Sequence, residues 1–183
     1  MTTRTSATIE ALHRVPENGK AEVVNGEVVL MSPTGARPGR AAMAIASSLR
    51  GHERRYGNGY ALGDNVGFLV HLPRRQSFSP DAAWYTGRLE GLDFAEGAPA
   101  FAAEVRSKGD YGPQADEALA AKRADYFAAG SLVVWDVDLL SEDVVRVYRA
   151  NAPTAPTVYR RGEMAEAEPA VVGWRMPVDE LFE

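Results

Sequence analysis

The clearest hydrophobic pattern lies between Ala21 and Met31, where two β-branched runs meet at Asn25-Gly26. That pair suits the left-handed central positions of a two-residue type I′ turn, so the segment predicts a β-hairpin. Glu22 and Glu27 interrupt its otherwise apolar strands. After a loop carrying Pro33, Gly35, Pro38 and Gly39, apolar residues recur at Ala41, Ile45, Leu49 and Tyr56. This is the stripe of an amphipathic helix over Arg40 to Tyr56, stopped by Gly57 and Gly59. YAL at Tyr60 and VGFLVHL from Val66 read as a pair of short strands about a GDN turn.

Ala82 to Tyr85 is a strand candidate, and the Gly- and Pro-containing stretch Thr86 to Ala98 is a surface connection. Ala100 to Val105 is apolar at almost every position, as expected of a central strand covered on both faces. Gly112-Pro113 turns into a helix from Gln114 to Ala129, which Gly130 stops. Leu132 to Asp136 and Val144 to Tyr148 are two further strands, Pro156 to Tyr159 and Ala170 to Trp174 are shorter β-like pieces, and VDELFE predicts a short terminal helix. The order of elements predicts an α/β or α+β fold: a mixed central sheet flanked by helices, with an N-terminal hairpin. Residues 1–183 are expected to form one domain, with 1–17 a loosely attached arm and 151–183 a Pro-rich C-terminal extension.

Composition narrows the chemistry. There is no cysteine, which removes disulfides, thiolate metal sites and cysteine nucleophiles. His13, His52 and His71 are isolated, so any metal here would have oxygen ligands. The net charge of -5 argues against a protein that coats nucleic acid non-specifically. No apolar run reaches membrane-spanning length and the N-terminus lacks a signal-peptide core, so no membrane partner and a cytoplasmic location are expected.

Two acids stand out. Asp81 follows Pro80 at the mouth of one apolar run and Glu104 closes another, so two strands would bring carboxylates to one end of the sheet. Such a pair repels itself unless a cation or a proton is shared. On the second helix, Ala115, Leu119, Tyr126 and Ala129 share a face, and Lys122 lies within that arc. Its ammonium either meets Glu104 or snorkels to the helix edge.

Taken in order, Glu22 to Glu27, Met31 to Pro33, Ser79-Pro80-Asp81, Glu104 to Ser107, Lys122 with Tyr126, and Val133 to Val137 resemble one pattern. It is that of the Uma-two family (the DUF820 group), a branch of the PD-(D/E)XK, restriction-endonuclease-like nuclease superfamily. The resemblance runs roughly from Ala21 to Tyr148. It implies a restriction-endonuclease-like core and a hydrolase that cuts phosphodiester bonds in DNA with Mg²⁺ or Mn²⁺. Asp81 and Glu104 would be metal ligands, with the Val105 carbonyl a third, and Lys122 would be catalytic. Glu22 is an additional candidate ligand or base, Ser107 would orient the acidic loop, and Arg106 and Lys108 could contact phosphate.

The chain departs from the superfamily at Arg106, where a lysine is usual. Arginine cannot become a proton acceptor, and the Uma-two branch carries its lysine on the following helix, where Lys122 stands. That departure, with the acidic net charge, keeps open a catalytically inactive nucleic-acid-binding or regulatory module. A glycosidase built on paired carboxylates is a third reading, without an aromatic platform beside Asp81 to favour it. A homodimer, with the hairpin or the C-terminal region as interface, would suit an enzyme that cuts both strands.

Overall fold

The computed structural model describes residues 9–15 and 19–183. The hairpin forms as its pattern demands: β1 (Lys20–Val24) pairs antiparallel with β2 (Glu27–Met31), and Asn25 and Gly26 take φ of 53° and 76°. Helix α1 (Ala36–Tyr56) begins four residues before Arg40, the expected start. Pro38 therefore sits in the first turn, where its missing N–H has no intrahelical partner to lose. Gly57, at φ 64°, closes the helix in the left-handed conformation.

The central sheet is mixed. Its strands are β3 (Tyr60–Leu62), β6 (Ala82–Tyr85), β8 (Phe101–Val105), β9 (Val133–Val137), β10 (Val145–Arg149) and β11 (Ala152–Tyr159). They lie in the order β11-β10-β9-β8-β6-β3, with β8 and β9 parallel and the other pairs antiparallel. Helix α2 (Pro113–Ala128) makes the crossover between β8 and β9, and Gly130, at φ 105°, ends it.

Alternation along the strands divides the core into two layers. Ala82, Trp84, Phe101, Ala103, Val133 and Trp135 face α1 and the C-terminal segment. Ala83, Tyr85, Ala102 and Val134 face the other way, toward Tyr126 of α2 and a small second sheet. That sheet holds β4 (Phe68–Leu69), β5 (Ser77–Phe78) and β7 (Ala95–Glu96).

Two local expectations are corrected, and the short terminal helix forms. The run Val66 to Leu72 is strand only at β4, and it pairs with β5 and β7 instead of Tyr60 to Leu62. Its Phe68 fills the α2-side core while Tyr60 to Leu62 edges the main sheet, so the GDN turn links two sheets and not two partners. Ala170 to Trp174 is a turn: Trp174 stacks on Trp135 at 5.0 Å, and the strands beside it are β12 (Met164–Glu166) and β13 (Arg175–Pro177). The terminal helix is 3-10, Val178–Phe182.

The C-terminal residues 151–183 contribute Trp174, Met176 and Leu181 to the α1-side core. Within the expected N-terminal arm, residues 9–12 are helical and the His13 ring stacks on Phe94 at 4.4 Å. The remainder of that arm, residues 1–8, 16 and 17, lies outside the described residues.

Candidate active site

Antiparallel pairing sets Ala82 opposite Ala103, and one residue further along that register Asp81 stands opposite Glu104. The Asp81 amide donates to the Ala103 carbonyl at 3.0 Å, so the ladder continues to this point. Both acids lie on the sheet face that α2 covers. Asp81 is fixed by one oxygen, Oδ2, which accepts the Val105 amide at 2.7 Å. Its other oxygen, Oδ1, accepts the Lys20 ammonium, also at 2.7 Å.

Lys122 points inward from α2. Its Nζ lies 2.8 Å from Glu104 Oε1 and 2.8 Å from Glu22 Oε1, so it bridges the central strand to the hairpin. Of the two sequence alternatives, the paired one describes the geometry. One turn further along the same helix face, the Tyr126 hydroxyl donates to Glu104 Oε1 at 2.6 Å. The Tyr126 ring is fully buried and stacks on Phe78 at 4.0 Å, which locks the direction of that hydroxyl.

Glu22 reaches this place because β1 docks on the segment before β5. The Gln76 amide donates to the Val23 carbonyl at 2.9 Å and the Asn25 amide to the Arg74 carbonyl at 2.8 Å. Only 2% of Glu22 is exposed. Besides Lys122 it accepts the Ser79 amide at 2.9 Å and Arg75 Nη1 at 2.6 Å, while Arg75 Nε donates to Asp125 at 2.9 Å. Glu22 is thereby a buried, ion-paired strand residue.

The ion pairs form two sets that meet where Asp81 stands opposite Glu104: Lys20 with Asp64 and Asp81, and Arg75 and Lys122 with Glu22, Glu104 and Asp125. Lys20 also meets Asp64 at 2.8 Å, so five carboxylates (Glu22, Asp64, Asp81, Glu104, Asp125) face three cations (Lys20, Arg75, Lys122). Each set carries one negative charge in excess, and the two sets adjoin at the Asp81–Glu104 pair. Burial pushes the Glu104 carboxyl above its ordinary pKa; Lys122 draws it down, and Asp81 and Glu22 push it up again. Burial acts on Glu22 in the same sense, but Lys122 and Arg75 outweigh it and hold that carboxyl low. For Lys122, burial disfavours the charge, yet Glu104 and Glu22 overcome it and keep the ammonium protonated.

Arg106 and Ser107 are placed beside these sets and not within them. The Arg106 guanidinium makes a two-pronged contact with Asp136, Nε and Nη2 each at 2.8 Å, and its Nη1 reaches Asp116 at 2.7 Å. The Ser107 amide donates to Asp110 at 2.7 Å, holding the loop after β8. Asp136 is the β9 neighbour of Glu104 in the parallel register. Beyond it opens a polar cleft of about 380 Å³ in which Arg106, Arg123 and Arg146 oppose Asp116, Asp136 and Asp138.

Lys20 and Arg75 escaped the sequence reading, and Tyr126 was placed on the Lys122 face without its bond to Glu104. Lys20 precedes Glu22 by two residues, the spacing that puts two side chains on one strand face, and that alternation was the available signal. Tyr126 follows Lys122 by four residues, the helical equivalent. Arg75 sits in a loop, where no periodicity could assign its direction.

Among the described residues, no group of three or more His, Cys, Asp and Glu side chains is arranged to hold a metal ion. Glu22 is turned to Lys122 and Arg75, which leaves Asp81 and Glu104 as a pair. A pair is a sufficient protein contribution for Mg²⁺, which keeps several of its waters. No described helix is long and apolar enough to cross a membrane.

The fold has a counterpart among solved structures: the crystal structure of a putative nuclease belonging to DUF820 from Anabaena variabilis ATCC 29413. The TM-score is 0.73 at 15% identity, covering 95% of this chain and 96% of that one. No curated protein matches the chain. The family model Uma2, described as "Putative restriction endonuclease", matches residues 9–179, and the chain belongs to that family.

Proposed function

We propose that the protein is a divalent-metal-dependent endonuclease that hydrolyses phosphodiester bonds in DNA, with Asp81 and Glu104 as metal ligands and Lys122 beside them. Family membership and the nuclease-like fold support a nuclease. The observation that carries the metal-dependent reading is the charge imbalance. Two cross-strand carboxylates on a covered sheet face belong to adjoining ion-pair sets that are each short of one positive charge. Burial, with the nearby Asp81 and Glu22, makes Glu104 harder to ionise. A hard dication supplies that charge, and when bound it would polarise the phosphoryl group and lower the pKa of an attacking water.

The chain's own groups have separable tasks. The Val105 amide holds Asp81 Oδ2 and so fixes the direction of its carboxylate. Tyr126 does the same for Glu104. Lys122, kept protonated by two carboxylates, is suited to stabilise charge growing on the phosphoryl oxygens and unsuited to accept a proton. Arg106, committed to Asp136 and Asp116, is a structural cation of the neighbouring cleft.

One observation favours the inactive-module reading: Lys20 already neutralises the Asp81 oxygen that a metal would use. Incubation of purified protein with supercoiled plasmid separates the two. With Mn²⁺ or Mg²⁺, nicked or linear product is expected, and EDTA is expected to stop its formation. Plasmid that stays intact across a range of both metals would leave the inactive module.

A further inference from the structure

Lys20 is the group at this site whose place the proposed chemistry does not use, and its surroundings are unusual for a lysine near a strand end. Its side chain is 14% exposed, and Nζ lies between two carboxylates, Asp81 at 2.7 Å and Asp64 at 2.8 Å. Each Asp81 oxygen accepts one hydrogen bond, Oδ2 from the Val105 amide and Oδ1 from Lys20. The backbone anchors Oδ2, so Oδ1, held only by a side chain and with a second lone pair, is the oxygen open to a dication shared between Asp81 and Glu104. A metal about 2 Å from that oxygen and an ammonium within hydrogen-bond reach of it would be like charges at close range, so one must yield.

The structure also offers the place to which Lys20 can yield. The Asp64 side chain is 44% exposed and already touches the same ammonium, so loss of the Asp81 contact leaves Lys20 with a partner and better access to water. Lys20 and Asp64 come from β1 and from the loop after β3, and neither belongs to the Asp81–Glu104–Lys122 group.

Resting on the metal-dependent reading above, we propose that Lys20 is a displaceable counterion. It neutralises Asp81 while the metal is absent and is handed to Asp64 when a dication binds, so the Lys20–Asp64 pair sets the affinity of the site for metal. Lys20 is thus a positioning residue, acting through Asp81. The ammonium keeps Asp81 from standing uncompensated beside Glu104 and binding whatever cation is at hand, and Asp64 keeps its departure inexpensive.

The test is Mn²⁺ titration by calorimetry of the parent, Lys20→Met, Asp64→Asn and the double variant, with thermal unfolding as a check on folding. Lys20→Met is expected to bind Mn²⁺ about tenfold more tightly, because a competing cation is gone. Asp64→Asn is expected to bind about threefold more weakly, because Lys20 then has nowhere to go. In the Lys20→Met background the Asp64→Asn change is expected to have almost no effect. Lys20→Arg, which keeps the charge, is expected to restore parent-like affinity, and Lys20→Gln replaces Lys20→Met should the latter fail to fold.

Unchanged or weaker Mn²⁺ binding in Lys20→Met overturns the proposal. So does an Asp64→Asn effect of equal size in both backgrounds, since simple loss of a nearby negative charge acts whether or not Lys20 is present. In either case the parent still binds metal and the nuclease reading stands. Absence of Mn²⁺ binding in the parent and every variant overturns both together.

Discussion

Glu104→Gln is expected to lower metal-dependent plasmid cleavage by about three orders of magnitude, roughly 4 kcal/mol of transition-state stabilisation, while leaving the folded protein at least as stable as the parent. The two halves of that expectation have different causes. Cleavage falls because a neutral amide is a far weaker partner for a hard dication than a carboxylate. Stability does not fall, because the Glu104 carboxyl is raised above its ordinary pKa by burial and by Asp81 and Glu22.

The sign follows from linkage. A carboxyl that is harder to ionise when folded contributes most at pH below its unfolded pKa and loses that contribution as pH rises. At neutral pH the ionised Glu104 is therefore a burden, which glutamine removes. Lys122 retains Glu22 as a partner. Asp81→Asn is expected to lose cleavage to a similar degree, with little change in unfolding temperature because Lys20 retains Asp64. Cleavage rates and unfolding temperatures of the two variants check this, and a variant that cuts like the parent would remove that acid from the metal site.

Glu22→Ala is expected to act in the opposite sense, on stability first. Arg75 and Lys122 both terminate on Glu22, and the Arg75 side chain is 8% exposed. Removal of the carboxylate takes one partner from each of two buried cations at once, leaving Lys122 only Glu104 and Arg75 only the partly exposed Asp125. Breaking a buried pair from one side costs about 3–5 kcal/mol. For a protein of this length that corresponds to a fall in unfolding temperature on the order of 10 °C. Glu22→Gln, which keeps an acceptor for the Ser79 amide, is expected to cost less. Denaturation of the two variants measures the difference; a fall of only about one degree for Glu22→Ala would mean that Glu104 and Asp125 can satisfy both cations alone.

Much of this architecture was legible in the sequence because periodicity is a local signal. The Asn25-Gly26 turn, the apolar run of β8 and the stripe of α2 each specify an element and the face it buries. The same signal oriented Lys122, since a lysine inside an apolar arc has to find an anion. It also put Asp81 and Glu104 at strand ends, though their opposition across β6 and β8 depends on register, which no single strand encodes.

What escaped depends on long-range docking. The hairpin's attachment to residues 74–77, which carries Lys20 and Glu22 into the site, leaves no trace in the local pattern of either segment. The separation of Phe68 from the strand before it is similar, because Phe68 was drawn to the core beside Phe78 and Tyr126. Arg106 is the instructive case within the motif itself. Its position is that of the superfamily lysine, yet its guanidinium is drawn to Asp136 one strand away, and the charge it would have brought comes from α2.

A crystal soaked in Mn²⁺ and measured at the manganese absorption edge tests the metal site most directly. One anomalous peak is expected between Asp81 Oδ1 and Glu104, about 2.0–2.3 Å from an oxygen of each, with Lys122 still in contact with Glu22. A map without manganese there, with the Lys20 ammonium still seated on Asp81 at saturating metal, would contradict it.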